Sequence, residues 1–90
     1  MTNREALWYL IDGLLAGSYS VNNFCDEFSR IYNIEIDYDE LTSEERLEFR
    51  ELSKITGRFS PYEEDQKLYA YNENDVYEKV RSLVKNLQHP

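Results

Sequence analysis

The chain has 90 residues, with 10 Lys+Arg against 18 Asp+Glu and a net charge of −8 at neutral pH. That length suits one small domain spanning residues 1–90 and excludes two, and its 41% hydrophobic content permits a core of its own. The acidity argues against direct binding of nucleic acid or an anionic membrane surface, since both require a basic footprint.

The N-terminal Met1-Thr2-Asn3-Arg4-Glu5 lacks the small-residue cleavage pattern of a secretory signal. Thr2 and Glu5 instead have capping-box spacing, which predicts a helix start. Leu7, Leu10, Ile11, Leu14 and Leu15 then keep helical period, Trp8 widens their stripe, and Gly17 supplies a stop that reaches positive φ. Ser20 caps a predicted second helix whose apolar face holds Val21, Phe24, Cys25, Phe28, Ile31 and Tyr32. Cys25, the sole cysteine, is read as a small buried hydrophobe. It has no partner for an internal disulfide, so a reducing compartment, the cytoplasm, is the expected location.

The alternating stretch Ile34–Leu41 has no matching strand elsewhere and is read as a loop. A third helix is expected from Thr42-Ser43-Glu44-Glu45, again with capping-box spacing, carrying Leu41, Phe49, Leu52 and Ile55 on one face to about Gly57. Ser60-Pro61-Tyr62-Glu63 predicts a short fourth helix, with Ser60 as cap, reaching Tyr69. A last helix runs from about Asn74 through Val76, Val80, Leu83, Val84 and Leu87. The pattern is all-α, and short connections predict a compact antiparallel four-helix bundle with room for an extra short helix. No apolar run approaches the roughly 18–20 residues of a membrane span.

Catalysis is not expected. The only histidine, His89, is penultimate, and the three glycines are too far apart to form a phosphate loop. One Cys and one His cannot make a zinc site. Asp37-Tyr38-Asp39 opens like a calcium loop, but Leu41 and Thr42 stand where a ligand and a glycine belong. No Asp-Ser pair exists to carry an acyl-carrier arm. No cofactor or metal is therefore expected.

The informative feature is charge. Asp26–Glu51 holds ten acids and three bases, and Glu63–Glu78 holds six acids and one base. On the third helix Glu44, Glu48 and Glu51 share a side, while Arg46, Arg50, Lys54 and Arg58 form a ladder at i, i+4 spacing. Like charges at that spacing destabilise an isolated helix by about 0.2–0.5 kcal/mol per pair. Two readings stay open: neighbouring elements neutralise each stripe, or the stripes serve a partner. Eight tyrosines, with Tyr38, Tyr62, Tyr69 and Tyr71 flanking the acids, suit an interface as well as a core. Carboxylates interleaved with tyrosines describe a surface for gripping something basic.

Arg58-Phe59-Ser60-Pro61, the acids Glu63-Glu64-Asp65 and the closing Val80-Arg81-Ser82-Leu83-Val84-Lys85 together resemble the colicin D immunity protein family, which includes immunity proteins of contact-dependent growth inhibition systems. The likeness is best from about Leu41 to Leu87. Gly57 and Tyr62 occupy positions where some relatives have acids. The resemblance implies a helical immunity protein that binds a cognate tRNA-cleaving ribonuclease toxin one to one, covering its basic cleft with carboxylates where RNA phosphates would sit. On this reading the toxin-binding residues are Asp37, Asp39, Glu44, Glu48, Glu63, Glu64 and Asp65, with Tyr62 and Tyr69 as anchors. The alternative is an acidic helical regulatory or adaptor module that sequesters another basic, nucleic-acid-binding protein. A small carboxylate enzyme is the third reading.

Overall fold

Thr2, in extended backbone geometry, accepts a hydrogen bond from the Glu5 amide, and the Glu5 carboxylate accepts one from the Thr2 amide. This closed capping box starts α1 (Asn3–Leu15). A computed structural model describes residues 2–68 and 70–87, apart from the side chains of Glu63 and Leu68. After α1, Gly17 takes φ +81°, and the Gly17 and Ser18 amides donate to Leu14 and Gly13 in the double bond of a Schellman stop. Ser20 then caps α2 (Val21–Arg30) through the Asn23 amide.

The chain departs from the expected loop at Ile34 and Glu35, which remain helical. Residues Ile31–Glu35 continue α2 as one turn of π-helix, closed by the Ile36 amide on the Ile31 carbonyl at 2.8 Å. Arg30 bridges to Glu27 and to Glu35, each at 2.6 Å, and the Asn3 side chain donates to the Glu35 carbonyl, tying the turn to α1. The wider turn leaves Ile34 in solvent at 77% exposure and returns Ile36 to the core, so these two isoleucines do not share a face. Tyr38–Glu40 forms a 3₁₀ turn, with Asp37 accepting from the Asp39 amide.

Helix α3 (Ser43–Thr56) begins at Thr42 in a second complete capping box with Glu45. The fourth helix, α4 (Glu63–Leu68), starts later than expected. Ser60 donates to the Asp65 carboxylate at 2.7 Å and accepts from the Tyr62 amide, which occupies the hydroxyl expected to cap a helix beginning at Pro61. An isolated parallel bridge joins Phe59 to Tyr71, through Ser60 N–H to the Tyr71 carbonyl and Tyr71 N–H to the Arg58 carbonyl. The two ends of the α4 excursion are thereby fastened together. Asn72 and Asp75 exchange backbone–side-chain hydrogen bonds at the start of α5 (Glu73–Leu87).

The described residues are all-α, with no strand beyond that single bridge. Helix α3 packs on α5 and α2, and α1 packs on α2. Phe49 sits at the junction, its ring 5.5 Å from Trp8 of α1 and 6.0 Å from Phe28 of α2, both edge-on. Val76, Val80 and Leu83 close the core from α5. Cys25 lies in the same cluster, and burial, with the nearby Asp26 charge, pushes its thiol up to about 12. No helix among the described residues is long and apolar enough to cross a membrane.

Candidate functional site

The acids that the sequence singles out fall into two groups. Asp37 and Asp39 lie on the turn before α3, followed by Glu44 and Glu48 on the helix. Asp37 is occupied with its own turn, and Asp39, though 92% exposed at the side chain, pairs with Arg46 at 3.3 Å. Glu44 is exposed and makes no side-chain bond among the described residues. Glu48 is bound to Lys79 of α5 at 2.9 Å, with both side chains under one-fifth exposed. It is an internal strut between α3 and α5 more than a free carboxylate.

The second group lies at α4. Tyr62 is 69% exposed, and with Pro61, Glu64 and Asp65 it lines a groove of about 500 Å³ that has no Lys or Arg in its lining. Glu64 is exposed and unpaired among the described residues, whereas Asp65 is half-buried and engaged by Ser60. Tyr69, His89 and the side chain of Glu63 lie outside the described residues. No hydrogen bond or ion pair joins the two groups among the described residues.

The like-charge stripes of α3 are neutralised in three places: Arg46 by Asp39 of the preceding turn, Glu48 by Lys79 of α5, and Lys54 by Glu51 of the same helix. Arg50 and Arg58 have no carboxylate partner among the described residues. Neutralisation therefore accounts for part of the pattern and leaves Glu44, Arg50 and Arg58 over.

One carboxylate has a role that the spacing of the stripes does not suggest. Glu45 is 3% exposed; it accepts from Arg4 through Nε and Nη2, from Trp8 Nε1 at 2.8 Å and from the Thr42 amide. Burial pushes its carboxyl up, but the hydrogen bonds from Arg4, Thr42 and Trp8 and the Arg4 charge outweigh that and hold it below the ordinary range. The signal was in the sequence. Glu45, Phe49, Leu52 and Thr56 stand at i, i+4, i+7 and i+11, so the carboxylate lies in the buried stripe itself. Among the described residues no three His, Cys, Asp or Glu stand where they could hold a metal ion.

Comparison of the chain with protein-family models, curated proteins and solved structures yields no match.

Proposed function

We propose that this protein is an immunity protein of the colicin D type, acting in the cytoplasm to bind and neutralise a cognate tRNA-cleaving ribonuclease toxin. It works by binding alone, without catalysis, cofactor or metal. Helices α1, α2, α3 and α5 are read as a compact antiparallel bundle, with α4 as the short extra helix that bears the contact surface.

The observation that carries the proposal is the groove at α4, where a largely exposed Tyr62 stands beside Glu64 with no cation among the described lining residues. An exposed aromatic beside a free carboxylate is chemically suited to a basic cleft. The acids substitute for phosphates, and the ring supplies desolvated contact area with few rotors to freeze. A net charge of −8 would also steer the encounter, lifting association above the roughly 10⁵–10⁶ M⁻¹s⁻¹ of unsteered pairs. Speed matters to an inhibitor that must intercept an incoming enzyme.

An immunity gene directly follows its toxin gene, so the test is copurification with the product of the adjacent upstream reading frame, followed by association kinetics. The wild type should bind and block tRNA cleavage, and the Tyr62→Ala, Glu64→Lys double variant should associate at least about tenfold more slowly with an unchanged fold. Binding that leaves cleavage intact would favour the adaptor reading. Unchanged kinetics in the double variant would remove α4 from the interface.

A further inference from the structure

The basic ladder of α3 is only partly absorbed by ion pairs. Arg50 is exposed and one turn beyond Arg46, yet it has no carboxylate partner among the described residues of a chain with 18 acids. It borders a surface groove of about 370 Å³ lined by Tyr32 and Asn33 of the π-turn, Tyr38 of the 3₁₀ turn, and Arg46, Arg50 and Ser53 of α3. Among the described residues that lining contains no carboxylate.

A second observation points into the same groove. Tyr32 is only 5% exposed, yet its phenol makes no hydrogen bond to any described residue. No fully buried side-chain oxygen or nitrogen among the described residues lacks a partner, so the Tyr32 hydroxyl keeps some access to solvent, and Tyr32 is one of the residues that line the groove. Its ring is held edge-on between Phe28 at 6.1 Å and Tyr38 at 5.5 Å, which fixes the position of the hydroxyl oxygen. Burial, reinforced by Tyr38, raises the phenol's pKa and keeps it a donor, while Arg50 opposes the rise and so lies within electrostatic reach. The exposed Asn33 side chain is a further donor with no partner among the described residues.

We propose that this groove binds a small ligand bearing a single phosphate or carboxylate on a planar ring. The oxyanion takes the Arg50 guanidinium, the Tyr32 hydroxyl and the Asn33 amide, and the ring lies against Tyr38. A guanidinium presents paired donors that match two oxygens of such a group. Tyr38 is 48% exposed and offers an apolar face to the body of the ligand. The volume sits at the lower end of small-molecule sites, generally about 300–1,000 Å³. Asp37 and Asp39 nearby, with the net charge, repel polyanions and restrict the ligand to one small anionic group. Arg46 is shared with Asp39 and the Tyr38 carbonyl, so Arg50 carries the recognition. The site is separate from the groove at α4, and either reading can fail without the other.

The test is a ¹H–¹⁵N titration of the full chain with phenyl phosphate, benzoate and inorganic phosphate. A ring anion should give saturable shifts confined to residues 32–38 and 46–53, and the tighter of phenyl phosphate and benzoate identifies the group. Inorganic phosphate should bind more weakly, because it lacks the ring. Arg50→Gln should weaken binding at least about tenfold, and Tyr32→Phe, which keeps the ring, about three- to tenfold. Arg50→Lys should recover part of the loss. Thermal melts of each variant, expected to match the wild type, exclude unfolding as the cause. Absence of saturation by either ring anion, shifts centred elsewhere, or equal affinity in wild type and Arg50→Gln would overturn the proposal.

Discussion

Trp8 of α1 donates its indole N–H to the carboxylate of Glu45 on α3 at 2.8 Å, across 37 residues of sequence. Arg4 grips the same carboxylate through two nitrogens, and the Thr42 amide fills a further acceptor site. One side chain thus caps α3 and locks α1 against it. A buried carboxylate persists only when its oxygens are satisfied in this way.

Replacing Glu45 with Gln keeps the shape and removes the charge at which Arg4 and Trp8 are aimed. Because Arg4 keeps a 30% exposed side chain and can turn to water, the expected loss is about 1–3 kcal/mol, below that of a fully enclosed pair. Urea denaturation measures it directly. A change within about 0.5 kcal/mol, typical of surface substitutions, would mean the clasp is dispensable.

The same carboxylate sets a pH dependence. Its folded-state pKa is depressed, so its contribution is present above the unfolded-state value, near 4.3, and is lost as pH falls through the lower folded value. The exposed Glu5 is shifted in the same direction by its hydrogen bonds with the backbone and side chain of Thr2. Urea midpoints should therefore drop as pH falls below about 4, and Glu45→Gln should drop less steeply than the wild type. Parallel curves for the two proteins would refute the assignment.

Glu48 and Lys79 form the other cross-helix pair. A double-mutant cycle with alanine at both positions should give a coupling of about 0.5–2 kcal/mol, since both groups are mostly shielded from solvent. Glu44→Lys and Glu64→Lys, on exposed unpaired acids, should each stay within about 0.5 kcal/mol of wild-type stability. Charge reversal at Glu48 thus confounds any binding assay, and reversal at Glu44 or Glu64 does not.

Cys25 should be chemically silent in the folded protein. With its thiol pushed up to about 12, only about one molecule in ten thousand is thiolate at pH 8, and the sulfur is buried as well. A thiol reagent such as dithionitrobenzoate should react in denaturant and not in native buffer. Rapid native labelling would show that α2 opens readily.

Gly17→Ala forces an L side chain to the left-handed φ of +81° at the end of α1. The expected destabilisation is about 1–2 kcal/mol, although no neighbouring atom obstructs the added methyl. Equilibrium unfolding tests it, and a neutral result would mean that the turn relaxes to another geometry.

The sequence by itself determined where α1, α2 and α3 begin and which sides they bury. Thr2, Ser20 and Thr42 cap through local hydrogen bonds, and the apolar stripes follow the period of the helix. Both depend on neighbours within one or two turns. The continuation of α2 through Ile34 and Glu35 as a π-turn was not legible, because the alternation of Ile34 and Ile36 imitates an extended segment while the core asks only for Ile36. The start of α4 was misplaced for a related reason, since the Ser60 hydroxyl is taken by Asp65 and the Tyr62 amide while its backbone N–H is fastened to the Tyr71 carbonyl. At the candidate sites, residue type told which side chains carry charge but not which are free. Only the tertiary structure decided that Glu48 braces α5, that Arg4 and Trp8 are the partners of Glu45, and that Glu44, Glu64 and Arg50 remain unpaired among the described residues. The physical reason is that pairing depends on distances between elements remote in sequence, and helical spacing carries no record of those distances.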